Sequence, residues 1–268
     1  MTATDPGRWS ATELAAAFAT RALSPVEVLD AVEHRIDRFE PVINALSDRD
    51  VDGSARAARA AEERHRRGEA LGPLDGIPVT VKANLARAGV AMRSGCAGAT
   101  AVMPTRDAPL VERLREAGAV ILGGTTMPDW GMLSSGVSSL HGITRSPLDP
   151  ELTTGGSSAG AGAAAAAAYG PLHVGTDIGG SIRLPGTWLG LVAHKPSFGR
   201  VPLELPYLGR VAGPLTRTSA DAALLMSVIS RSDVRDWSAL PPADLDWSLA
   251  GATVAGLRVG LWLDAGAG

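Results

Sequence analysis

Apolar positions in the first third of the chain recur at helical steps. Val28, Leu29, Val32, Ile36 and Phe39 share one side of a helix, leaving Arg35, Asp37 and Arg38 to solvent, so Val26 to Phe39 is expected to be an amphipathic helix. Its start is legible in Ser24-Pro-Val-Glu27, which has a serine cap, a proline at the first helical position and a glutamate three residues after the cap. Ser10-Ala-Thr-Glu13 carries the same cap and glutamate and predicts an earlier helix. The more charged stretch Ser54 to Arg67 reads as an exposed helix lying on a core.

From Gly76 the period shortens. Ile77-Pro-Val-Thr-Val81 and Ala119-Val-Ile-Leu122 are short apolar runs bounded by glycine and proline, the pattern of buried strands. Between them, Pro109 to Gly118 puts Leu110, Val111 and Leu114 on one side of a helix. The alternation continues around Ala159 to Ala168, Leu172 to Val174 and Ser219 to Ile229, which predicts an α/β domain. Arg231 to Asp246, with Pro241-Pro242 and several aspartates, reads as a polar connector, and Leu257 to Trp262 as a new strand. No internal repeat is visible.

Composition narrows the class. With 268 residues, 45% of them hydrophobic, the chain can bury a substantial core. A net charge of -3, from 25 basic and 28 acidic residues, favours neither nucleic acid nor an anionic membrane. The single cysteine, Cys96, excludes an internal disulfide and a multi-thiolate metal site, and suits a reducing compartment. Met1 to Ala22 lacks the apolar region of a signal peptide, and no run approaches the ~20 apolar residues of a membrane span, so a cytoplasmic location is expected.

Candidate chemistry concentrates in two segments, Thr153-Thr-Gly-Gly-Ser-Ser-Ala-Gly160 and Gly175-Thr-Asp-Ile-Gly-Gly-Ser-Ile-Arg183. The first has the composition of a flexible turn. In the second, glycines before a serine let successive backbone N–H groups converge on one point, as an oxyanion pocket requires. Gly156-Ser-Ser-Ala-Gly160 fits a nucleophile elbow centred on Ser158, but the preceding strand and the downstream acid and histidine are wanting. Gly160-Ala-Gly162-Ala-Ala-Ala fits a dinucleotide fingerprint and opens a helix, again with no leading strand, which leaves a nucleotide-dependent oxidoreductase as a remote alternative. A P-loop fails, since no Gly-Lys-Ser/Thr follows. His34, His65, His141, His173 and His194 are scattered and show no metal-binding pattern. Lys82 directly follows an apolar strand, where desolvation lowers a lysine pKa and keeps part of it neutral.

Three blocks together carry a resemblance: Gly76-Ile-Pro-Val-Thr-Val-Lys82-Ala-Asn84, Thr154-Gly-Gly-Ser157-Ser-Ala-Gly160 and Gly175-Thr-Asp-Ile-Gly-Gly-Ser181-Ile-Arg-Leu-Pro185. In order and spacing, with Ser157 and Ser181 24 positions apart, they resemble the signature of the amidase signature family of serine hydrolases. Flanking segments, Asp107 to Val111, Gly118 to Gly123, Lys195 to Pro202 and Gly213 to Thr218, extend the similarity over nearly the whole chain. Three positions depart from the family pattern: Ala83 where aspartate is usual, Thr154 where proline is common and Ala159 where glycine is common.

The resemblance implies an α/β fold with a mixed central sheet covered by helices on both faces, with the C-terminal half of that fold missing. Residues 1–70 would be a helical segment packed on the core, 71–230 the catalytic core, and 231–268 a connector and the start of a second half. It implies an amidase that hydrolyses a carboxylic amide to carboxylate and ammonia or amine. Ser181 would be the nucleophile, Ser157 a bridging serine preceded by a cis peptide bond, and Lys82 the general base. The oxyanion would rest on the backbone N–H groups of Ile178, Gly179, Gly180 and Ser181. Ser158, Asp177 and Arg183 would support the loops, and Trp130, Met132 and Trp188 would line a substrate pocket or join the core. The implied scheme uses no metal or organic cofactor. The expected partner is a small-molecule amide, with a homo-oligomer or a second polypeptide completing the fold, and no nucleic acid or membrane. A catalytically inactive remnant or binding module is the alternative, and service in a transfer-RNA amidotransferase complex is compatible with the motifs.

Overall fold

The computed structural model describes residues 5–204, 206–249, 251 and 253–260. Both serine caps form. The Glu13 N–H donates to Ser10 Oγ at 3.2 Å and the Ser10 N–H donates back to Glu13 Oε2 at 2.8 Å, which starts helix α1 (Ala11–Thr20). The same reciprocal pair at Ser24 and Glu27, 3.1 and 2.8 Å, starts α2 (Pro25–Ile43). This helix runs one turn beyond the expected Phe39, because Ile43, seven residues after Ile36, continues the buried stripe. It ends at Asn44, which adopts a left-handed backbone.

Next come β1 (Leu46–Arg49) and α3 (Val51–Arg67). Asp50 caps α3 by accepting from the Gly53 N–H at 2.9 Å, so the helix starts three residues earlier than Ser54. The remaining elements alternate: β2 (Pro78–Lys82), α4 (Pro109–Glu116), β3 (Val120–Thr125), the short pair β4 (Val137–Ser138) and β5 (Gly142–Ile143), α5 (Ala159–Ala166), β6 (Leu172–Asp177), α6 (Arg183–Trp188), β7 (Val192–Ala193), β8 (Val211–Thr216) and α7 (Ser219–Ile229).

Six strands make one mixed sheet in the order β1-β3-β2-β6-β8-β7. Its centre, β3-β2-β6, is parallel, and β1, β8 and β7 join antiparallel. β1 escaped the sequence reading because only Leu46 of its four residues is buried, which leaves no apolar run to see. β8 contains Pro214, which argues against a strand inside a sheet. Pro214 turns its carbonyl to the His194 N–H at 3.1 Å, just past the end of β7, so the N–H it lacks is one the ladder with β6 does not use. Residues 257–260 of the expected last strand have no strand structure, and Gly260 is followed by residues outside the described ones.

Two layers of helix cover the sheet. α5, alanine and glycine throughout and buried along Ala159–Ala165, packs on β1, β2, β3, β6 and β8 and on α6, while α3 and α4 pack on β3, α7 on β6, β7 and β8, and α1 on α3 and α7. Alternation along β2 sends Val79 and Val81 into the main core and Thr80 and Lys82 toward α5. The site is built on that second face.

Candidate active site

Lys82 is the last residue of β2, and its side chain is fully buried. Its Nζ lies 2.9 Å from Ser157 Oγ and 3.0 Å from Ser158 Oγ. Burial, and after it the charge of Arg210, lower the Lys82 pKa from its ordinary 10.5 to about 7, with Asp177 pulling the other way. A buried ammonium is disfavoured unless an acid neutralises it, and no carboxylate makes an ion pair with Lys82 among the described residues.

The two serines differ in what their hydroxyls can still do. Ser158 Oγ donates to the Thr176 carbonyl at 3.0 Å and accepts from the Thr176 N–H at 3.2 Å and from Lys82. One donor and two acceptor positions are all a hydroxyl has, so Ser158 is saturated and pins the start of α5 to β6. Gly175 makes this approach possible: a Cβ there would lie 2.7 Å from Ser158 Oγ. Ser157, joined to Gly156 by a cis peptide bond, is 4% exposed, and among the described residues its Oγ has Lys82 as its one hydrogen-bond partner. The Ser158 N–H donates to the Ser181 carbonyl at 3.1 Å, which holds the half-buried Ser181 against this pair. Among the described residues the Ser181 hydroxyl has no hydrogen bond to Ser157 or Lys82.

Asp177, at the end of β6, organises the glycine loop. Its Oδ1 accepts from the Gly180 N–H at 2.9 Å, and its Oδ2 from the Ile182 N–H at 3.0 Å and the Arg183 N–H at 3.3 Å. Arg183 adds a two-pronged contact, Nε to Oδ2 at 3.1 Å and Nη2 to Oδ1 at 2.9 Å. Burial pushes this carboxyl upward, but Arg183 and the three N–H groups outweigh it and hold the pKa at about 2. The Gly180 N–H is therefore engaged by Asp177, while the N–H groups of Ile178, Gly179 and Ser181 have no partner among the described residues.

The glycines that suggested a dinucleotide fingerprint have a packing role. A Cβ on Gly160 would sit 2.2 Å from the Ala45 carbonyl oxygen and 2.4 Å from the Thr126 nitrogen, so α5 can touch the neighbouring backbone only with glycine there. His173 is buried at the other end of the same face. Its Nε2 donates to the Gly170 carbonyl at 3.2 Å and its Nδ1 accepts from the Thr80 hydroxyl at 2.8 Å. Burial, with the Arg217 charge, lowers its pKa to about 3. Among the described residues no cluster of histidine, cysteine and carboxylate side chains could hold a metal ion, and no helix is long and apolar enough to cross a membrane.

A cavity of about 610 Å³ adjoins the site through Asn84, two residues after Lys82, and is lined among others by Met92, Arg93, Met103, Trp130 and Arg210. Trp130 lines it, whereas Met132 and Trp188 are 79% and 47% exposed and do not. Asn84 Nδ2 donates to Thr176 Oγ1 at 3.0 Å, which ties the cavity wall to β6. Sequence reasoning missed Thr176 and Arg210. Thr176 stands inside a quoted motif but works mainly through its backbone, and Arg210 becomes visible only once Val211 is paired with Asp177.

A mixed α/β sheet that presents a buried lysine beside two serines, with a glycine-rich loop at the end of the next strand, defines a protein with a serine-lysine centre. The chain belongs to the amidase family: the family model named Amidase matches residues 27–267. It is 40% identical over 260 residues to a glutamyl-tRNA(Gln) amidotransferase subunit of Acidothermus cellulolyticus, covering 95% of this chain and 52% of that protein. It is 37% identical to an acylamidase of Rhodococcus erythropolis, covering 93% of this chain and 54% of that one. A bacterial aryl acylamidase of the amidase signature enzymes superposes with a TM-score of 0.83 at 31% identity, over 89% of this chain and 51% of its own. The chain thus spans about half the length of the relatives it matches.

Proposed function

We propose that this site hydrolyses a carboxylic amide through an acyl-enzyme, with Ser181 as nucleophile, Ser157 as proton relay and Lys82 as base. The observation that carries the reading is the contact between Lys82 and Ser157: a fully buried lysine with a pKa of about 7 lies 2.9 Å from a hydroxyl that has no other partner among the described residues. A neutral Lys82 accepts the Ser157 proton as Ser157 takes the proton of Ser181, and the Ser181 oxygen attacks the amide carbon. The proton returns through Ser157 to the departing nitrogen, and water then releases the carboxylate. The tetrahedral oxyanion is received by the N–H groups of Ile178, Gly179 and Ser181, each such donor being worth roughly 3 kcal/mol. Gly180 shapes the loop through Asp177 rather than facing the oxyanion.

The relay needs Ser181 Oγ to turn toward Ser157, a rotation about the single χ1 bond between staggered positions. The carbonyl bond from Ser158 keeps the Ser181 backbone in place meanwhile. The test is covalent labelling of the purified chain with a fluorophosphonate. The mass increase should map to the peptide containing Ser181 and vanish in Ser181→Ala. Soluble, folded wild type that takes no label would overturn hydrolysis by this chain and favour the inactive, binding-module reading.

A further inference from the structure

The cavity that adjoins the Lys82 site at Asn84, Trp130 and Arg210 has a charge pattern that the proposed mechanism does not use. Three arginines, Arg93, Arg106 and Arg210, line it against a single carboxylate, Glu204, among its described residues. Glu204 is already bound by Arg106, with Arg235 at 4.0 Å on its other oxygen. The wall is left net positive.

Arg210 is the one of the three nearest the chemistry. Val211 pairs with Asp177 across β8 and β6, so Arg210, just before β8, stands beside the start of the Ile178-Gly179-Gly180 loop. Arg210 is half-buried and close enough for its charge to act on Lys82. Asp236 supplies opposing charge to Arg210 and is itself held by the Leu203 N–H at 2.8 Å and by Ser238 at 2.8 and 2.6 Å. A guanidinium in a partly dry wall binds a carboxylate more strongly than it does in water, because low polarity strengthens the charge-assisted hydrogen bond. In the same cavity, Met103 and Trp130 expose apolar surface, 59% and 61% of each residue. Trp130 also borders the reacting end: it precedes Gly131, where a Cβ would lie 3.1 Å from Ser157 Oγ.

We propose that this cavity selects amides that carry a carboxylate on an apolar skeleton, with Arg210 recognising the carboxylate and Met103 and Trp130 holding the skeleton. The proposal rests on the site being the amide-binding site argued above. Arg210 acts here as a specificity-determining residue, not as part of the proton relay.

The test compares two probes of nearly equal shape, 4-carbamoylbenzoate and the uncharged 4-nitrobenzamide, by calorimetric titration into the full chain carrying Ser181→Ala. With no nucleophile the measurement reads binding alone, so its outcome is separate from that of the labelling experiment. The carboxylate is expected to bind at least about 10-fold more tightly, the usual scale for a charge-assisted contact. Adding Arg210→Met should bring the ratio to about one, and Arg210→Lys should restore part of it. Circular dichroism and melting temperature establish that each variant is folded. Equal affinity for the two probes, binding of neither, or a preference that survives Arg210→Met in a folded protein would overturn the proposal.

Discussion

Two buried polar clusters share strands β2 and β6 and the face covered by α5. Thr80 and His173 are paired across the strands, and Lys82 follows Thr80 two residues along. In both clusters burial and a neighbouring arginine drive a basic group toward neutrality. In the first, both ring nitrogens of His173 are bonded and the group titrates near 3, so it is neutral at any physiological pH. In the second, the base titrates near 7, and one of its two hydroxyl partners keeps capacity to pass a proton. Burial alone therefore makes a structural polar pair. A reactive centre needs, in addition, a pKa close to the working pH and an unsaturated neighbour next to a cavity.

The comparison breaks most sharply through mutation of the relay. Ser181→Ala and Lys82→Met should each lower the rate of fluorophosphonate labelling by about 10³-fold or more, whereas His173→Gln should leave the labelling rate within a few-fold of wild type. A large labelling defect in His173→Gln would erase the distinction between the clusters. Removing Asp177 comes next: Asp177→Ala frees three N–H groups and Arg183, and labelling should fall by about 10²-fold from loss of loop geometry, with the Lys82 inflection moving to lower pH because the carboxylate that raises it is gone.

Stability should show the reverse order. His173→Ala leaves the Thr80 hydroxyl without its partner and opens a buried space, the Gly170 carbonyl keeping only its bond from Arg217 Nη1 at 2.9 Å among the described residues, and is expected to destabilise by about 2–4 kcal/mol in urea denaturation. The pH dependence of that stability separates the clusters further. His173 has a folded pKa of about 3, below its ordinary 6.5, so its contribution is complete above pH 6.5 and is lost as pH falls toward 3. Lys82 has a folded pKa of about 7, below its ordinary 10.5, so wild-type stability should rise between pH 7 and 10.5 as the unfolded chain comes to need fewer protons removed on folding. Lys82→Met should therefore gain more over wild type at pH 7 than at pH 10. The smallest effect expected is that of Arg183→Ala. Its side chain is half exposed, so no more than about 1 kcal/mol of stability should be lost.

How much of this was visible beforehand depends on whether a feature is local. The capping boxes at Ser10 and Ser24 and the strand ending in Lys82 are contiguous signals, and each was readable because its partners lie within a few residues. The serine and glycine loops were readable as motifs, since tight turns with converging N–H groups demand those residues. β1 was not, because an edge strand with one buried residue has no pattern, and β8 was hidden by Pro214. The difference between Ser157 and Ser158 was also out of reach: it comes from Thr176, 18 residues away, which saturates one hydroxyl and not the other. Arg210 reaches the site only through the β6–β8 register.

The most direct measurement is the labelling rate of wild type between about pH 5.5 and 9.5, with the melting temperature followed in parallel. If Lys82 is the base, the rate rises sigmoidally with an inflection near 7, set by the lysine. A rate independent of pH across that range, or one whose inflection survives Lys82→Met, would contradict it.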